Sequence, residues 1–170
     1  MCNTGTNLLR LFISNVIMLL ICITTARGQN KNNYISLTAN NTSYSLTSTS
    51  LLETQQVKTN AFQIELASKA NNTFSVKAKV SSSTSSTGTP LPASMLALRL
   101  NSTNPTVTAN TNTFTLSTTD QTIQQITTTT QFWNTNNFLT LYYDLLAGPV
   151  GYDYAPGNYN LTILFTLTQP

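Results

Sequence analysis

The stretch Asn158-Tyr-Asn-Leu-Thr-Ile-Leu-Phe-Thr-Leu-Thr168 decides the fold. Tyr159, Leu161, Ile163, Phe165 and Leu167 fall on every second position, and Asn160, Thr162 and Thr166 fall between them, with Leu164 the one apolar exception. A period of two puts the first set on one face of a strand and the second set on the other. Ala155-Pro156-Gly157 upstream is a turn signal. At about 3.3 Å per residue the strand spans roughly 33 Å, long for a small domain.

The same alternation recurs upstream of this strand. Ile35, Leu37 and Ala39 share one face of a short segment, Asn40-Asn41 marks a turn, and Tyr44 to Thr47 offers a weaker strand. Ser48 to Lys58 fits neither period. Phe62, Ile64 and Leu66 alternate with Gln63 and Glu65, and Phe74, Val76, Ala78 and Val80 alternate with Ser75, Lys77 and Lys79. The short connection between these two runs suits an antiparallel hairpin. Lys77 and Lys79 then lie on a solvated face that also discourages edge-to-edge pairing, with a small cationic patch as the functional alternative. Ser81 to Thr89 reads as an exposed Ser/Thr/Gly loop. Leu96, Leu98 and Leu100 face inward, with Ala97 and Arg99 outward. Thr113 to Leu116 and Thr122 to Gln131 are further strands, although the Ile123/Ile126 spacing also suits one helical turn. Phe138 to Leu146 completes the set before Gly148-Pro149 and Gly151.

About seven to nine short strands, turn signals between them and no amphipathic helix define the expected fold class. It is all-β, a single antiparallel β-sandwich with Greek-key, Ig-like connections. No repeat of constant period occurs, which argues against a solenoid or a propeller.

Arg10 precedes an apolar run from Leu11 to Ile23, and Thr24-Thr-Ala-Arg-Gly28 supplies a small-residue exit before Gln29. That is the layout of a secretory signal peptide, too short to span a bilayer comfortably. Residues 1–28 are therefore expected to be removed, leaving 29–170 as one β-sandwich domain that is secreted, periplasmic or at the cell surface, with no stable membrane insertion after cleavage. A cut after Ala26 is the alternative. Without Arg10 and Arg27 the net charge falls from +3 to about +1, so no nucleic-acid footprint is expected.

The chain has no histidine, and its two cysteines, Cys2 and Cys22, both lie in the leader. Ser-His-Asp and Cys-His catalysis and the usual zinc ligand sets are thereby removed from the mature chain. No Walker loop or dinucleotide fingerprint occurs. Two carboxylates suffice for glycoside hydrolysis, and Asp144 with Asp153 would supply them, but both read as turn and surface carboxylates. No EF-hand spacing is present. The expectation is a non-enzymatic protein with no catalytic residue, cofactor or metal. Trp133, Tyr142, Tyr143, Tyr152 and Tyr154 are candidates for a sugar-stacking platform, with core packing as the alternative. Tyr142 and Tyr143 are successive and so must face opposite ways. Thr106-Val-Thr108 and Thr111-Asn-Thr113-Phe-Thr115 suggest an ice-binding array but lack regular spacing.

The C-terminal stretch resembles the terminal strand of bacterial fimbrial subunits, the chaperone–usher pilins and their spore-coat-U-like relatives. In that family a glycine fourteen residues from the C-terminus precedes alternating apolar residues that pair with an assembly chaperone. Gly157 stands at that position here, followed by Tyr159, Leu161, Ile163, Phe165 and Leu167. The chain departs from the pattern at Gln169, where many members carry tyrosine, and in lacking a mature disulfide. The resemblance implies β-strand addition, in which a fold lacking its final strand is filled by a neighbour's N-terminal extension. Gln29 to Ala39, with Ile35, Leu37 and Ala39 alternating, is the candidate donor, or else the domain's own first strand. The expected function is a structural subunit of a fimbria or cell-surface assembly. Its partners would be like subunits or an assembly chaperone. The alternative is a secreted or surface module binding carbohydrate.

Overall fold

A computed structural model describes residues 15–17, 33–68, 73–127 and 138–168. Its elements in chain order are β1 (Asn15–Ile17), β2 (Asn33–Ala39), β3 (Tyr44–Leu46), α1 (Thr49–Glu53), β4 (Gln56–Ser68), β5 (Thr73–Ser85), a 3-10 turn (Ala93–Met95), β6 (Leu96–Asn104), β7 (Thr113–Thr115), β8 (Gln121–Thr127), β9 (Leu139–Ala147) and β10 (Tyr159–Thr168). Most of the expected leader, residues 29–32, residues 128–131, Trp133 and Gln169 lie outside the described residues.

Two antiparallel sheets stack face to face, one of five strands in the order β2-β4-β9-β6-β7 and one of three in the order β10-β5-β8. The expected all-β sandwich is what the chain forms. Consecutive strands β4 and β5 lie in opposite sheets, as do β9 and β10, while β4 pairs with β9 and β5 with β10. The alternating side chains dictate this stacking, because each strand has one apolar face that only a second sheet can cover. Phe62, Ile64, Leu66, Leu98, Leu139, Leu141, Tyr143 and Leu145 line the inner face of the larger sheet, opposite Val76, Ala78, Ile123, Leu161 and Ile163. Each large side chain buried in this way contributes about 1.5–3 kcal/mol.

The structure departs from the sequence expectation in several places. The alternation in β4 and β5 was read correctly, but the two are not a hairpin, because β4 pairs with β2 and β9 and β5 with β10 and β8. Both runs carry an apolar inner face, and a short connection bridges two sheets roughly 10 Å apart as readily as two strands of one sheet. Lys77 and Lys79 consequently sit on the central strand of the smaller sheet, not at an edge, and Lys79 pairs with Asp120 at 3.4 Å.

The Ser81–Thr89 stretch is a strand as far as Ser85. A bulge at Ser81 shifts the register, so that Ser83 and Ser85 oppose the core residues Leu161 and Tyr159. The Ser83 hydroxyl satisfies itself by donating to the Leu91 carbonyl at 2.7 Å. Thr122 to Thr127 is strand as expected, within β8, and the Ile123/Ile126 spacing does not mark a helical turn. Val76 opposes Gln124 and Lys77 opposes Thr122, which leaves Ile123 as the extra residue of a bulge, and both isoleucines are buried. Ser48 to Lys58 contains one helical turn, α1, whose N-cap Ser48 accepts a hydrogen bond from the Leu51 N–H and which buries Leu52.

Candidate functional site

The site is assembled from the flank of the sandwich where β10 and β2 end their sheets. Gly157 starts it. A Cβ at this position would stand 2.4 Å from Thr87 Oγ1 and 2.7 Å from Thr87 Cγ2, so the bare backbone lets the chain enter β10 against the end of β5. The entry is then clamped, with the Ser86 N–H donating to the Asn158 carbonyl and the Asn158 N–H donating to Ser86 Oγ, each at 3.0 Å. Tyr159 donates its hydroxyl to the Ala155 carbonyl and meets the Tyr154 ring edge-on at 6.3 Å.

Along β10 the inner face divides into two halves. Tyr159, Leu161 and Ile163 are buried, whereas Phe165 and Leu167 are only partly covered although they alternate in the same phase. Phe165 reaches across to Phe62, ring centres 5.2 Å apart. Phe62 in turn is the register partner of Ala39 in β2. The β2 edge, with half-buried Ile35, Leu37 and Ala39, and the β10 edge therefore border the same flank. The structure places Ile35, Leu37 and Ala39 in the domain's own outer strand, laddered to Leu66, Ile64 and Phe62. Donating them to a neighbour would require that ladder to open.

Among the described residues β10 has a ladder on one side only, to β5. β1, which pairs antiparallel with β3, also lies against β10. None of β2, β3 and β10 carries a charged residue or a proline. Charges, prolines and short lengths are the usual means of blunting sheet edges, and the ten-residue β10 uses none of them.

A second feature lies on the larger sheet, and sequence reading missed it. Asp144 is not the surface carboxylate expected; it is 2 % exposed in the middle of β9. Its Oδ2 accepts from Arg99 Nη2 at 2.7 Å, and its Oδ1 accepts from the Asn60 N–H at 3.0 Å. Bulges in the two neighbouring strands flank it, and Asn60 adopts φ +51°. The Asn101 side chain donates to Asn60 Oδ1, and that of Asn40 to the Asn60 carbonyl. Bulged residues lose ladder partners, and this network replaces them. Both carboxylate oxygens of Asp144 are thus engaged, one by the Asn60 backbone and the other by the Arg99 guanidinium. Asp153 is exposed in the β9–β10 connection.

The aromatic candidates do not form one outward platform among the described residues. Tyr143 is fully buried and Tyr142 half-buried, as their opposite facing requires. Exposed Tyr152 donates its hydroxyl to Glu53 at 2.7 Å, and Tyr154 packs on Tyr159. The Glu53 contact raises the Tyr152 pKa, and burial raises those of Tyr44 and Tyr143. Among the described residues no group of three or more acidic, His or Cys side chains is placed to hold a metal ion, and no helix is long and apolar enough to cross a membrane. No protein-family model, curated protein or solved structure matches the chain.

Proposed function

We propose that the protein is a non-enzymatic, exported structural subunit of a fimbria or cell-surface assembly whose copies join by β-strand addition at the free edge of β10. One observation carries this reading. A long, uncharged strand with an apolar inner face is laddered, among the described residues, on one side only, and its distal half, Phe165 and Leu167, is incompletely covered. An incoming strand gains main-chain hydrogen bonds along such an edge, and its alternate side chains complete the cover over Phe165 and Leu167. The partner is a like subunit, or an assembly chaperone that holds the edge beforehand.

The test uses the chain beginning at Gln29, with intact mass of exported material to establish that start. Light scattering and electron microscopy should show linear polymers, and Leu167→Lys should abolish them. A lysine at half-buried Leu167 can extend its ammonium to water in the monomer but not beneath an added strand. A parent chain that stays a monodisperse monomer at high concentration, with or without an assembly partner, overturns the proposal.

A further inference from the structure

We infer that the outer face of the five-stranded sheet holds a binding site for a neutral saccharide chain, floored by the Tyr142 ring and walled by a side-chain bridge between Asn60 and Asn101. The site lies on the other sheet from β10 and does not depend on strand addition.

The register builds the floor. Leu141 and Tyr143 point into the core, so Tyr142 between them points out. Thr38, Gln63, Tyr142 and Ser102 are successive register partners across β2, β4, β9 and β6. They form one outward row, about 14 Å wide at the usual strand spacing. Tyr142 sits half-buried on β9, the middle strand of the sheet, and its hydroxyl has no hydrogen bond among the described residues.

The wall stands at the next outward position along β9, which is Asp144. Asn60 in the β4 bulge and Asn101 in the β6 bulge join at 2.9 Å from opposite sides of β9, so their bridge crosses over the buried carboxylate. Arg99 lies beside it, tied to Asp144 through Nη2, with its remaining N–H groups unpartnered among the described residues. Past the ring in the other direction, the Gln63 amide donates to Glu65 Oε1 at 3.0 Å. These planar groups are held by their neighbours before any ligand arrives, which lowers the cost of ordering them on binding.

The chemistry selects the occupant. The face of an aromatic ring is electron-rich and attracts the C–H face of a sugar ring, while fixed amide and guanidinium groups pair with neighbouring hydroxyls. Among the charged side chains here, Arg99 is matched by Asp144, which leaves the Glu65 carboxylate and a net negative charge. That charge disfavours an acidic chain. A protein partner would want an apolar centre, and Tyr142 is the one large apolar group in a row otherwise of Thr, Gln and Ser.

Affinity electrophoresis of the purified protein, through gels holding a soluble β-glucan, a mannan or a galactan, tests this, with polygalacturonate as the acidic comparison. At least one neutral polymer should retard the protein, and polygalacturonate should not. Tyr142→Ala should weaken the retarding affinity by about tenfold or more, as loss of a central aromatic contact does. Ser102→Glu, at an exposed position beside the ring, should weaken it as much with no change in Tm, which separates a lost contact from a lost fold. Tyr152→Ala removes an exposed ring in the β9–β10 connection and should bind as the parent does. Retardation by polygalacturonate alone, by none of the polymers, or undiminished in Ser102→Glu overturns the inference, as does a loss in Tyr152→Ala equal to that in Tyr142→Ala.

Discussion

Arg99 and Asp144 face each other as register partners across β6 and β9, joined at 2.7 Å, with the carboxylate side chain 2 % exposed and the guanidinium side chain 44 % exposed. The asymmetry makes the pair a fastening for the two bulged strands beside β9. The arginine keeps much of its hydration while the carboxylate gives up its own in exchange for two directed hydrogen bonds, one of them to the Asn60 N–H. Asp144→Asn should therefore destabilise the fold by about 2 kcal/mol, since Arg99 loses its counter-charge and the bulge loses a charged acceptor. Asp153→Asn, at an exposed position, should stay within about 0.5 kcal/mol of the parent. Urea unfolding of the two variants gives the comparison, and equal stabilities would remove the structural role assigned to Asp144.

Ile163 is 1 % exposed on the inner face of β10, and Thr162 faces the other way, opposite Ser82. Ile163→Asp buries a carboxylate with no partner and should cost at least about 3 kcal/mol, whereas Thr162→Asp should cost less than about 1 kcal/mol. Thermal melts showing equal losses would mean that β10 is not oriented as described.

The Tyr143 hydroxyl is buried without a hydrogen-bond partner among the described residues. Tyr143→Phe should raise stability at neutral pH by about 1 kcal/mol, because it deletes an unpaired polar group and little else. The same burial holds the Tyr143 and Tyr44 hydroxyls above the ordinary value of 10.0. The unfolded chain therefore releases these protons first, so their contribution is intact below pH 10 and lost as pH rises beyond it. Urea midpoints should fall above pH 10 in the parent and fall less steeply in Tyr143→Phe. A variant less stable than the parent at pH 7 would contradict this.

Gly157 admits β10 past Thr87, and an added Cβ would lie 2.4 Å from its hydroxyl. Gly157→Ala should cost about 1 kcal/mol, and adding Thr87→Ala should recover most of it. Thr87 is exposed, so its own truncation should be nearly neutral. Additive losses in the double variant would show that the close approach is not what the glycine provides.

The inner face of β10, the inward leucines of β6 and the opposite facing of Tyr142 and Tyr143 were all legible in the sequence, because each follows from a period of two along a single strand. So was the fold class, since many amphipathic strands without a helix to cover them have to cover one another. Strand partners were not legible. The apolar alternation of Phe62–Leu66 and Phe74–Val80 is satisfied equally by one sheet or by two facing sheets, and only the closed sandwich selects the second. Bulges were hidden for a related reason. An extra residue is defined against a neighbouring strand, so Asn60, Ser81 and Ile123 carry no local mark of it. That is also why Asp144 read as a surface carboxylate. Its burial and its acceptance of the Asn60 N–H exist only once β4, β6 and β9 lie side by side. The sequence by itself determined which faces are apolar, a property of spacing along one strand. The tertiary structure decided which edges stay open, because an edge is free or paired only in relation to the strands that the rest of the chain brings beside it.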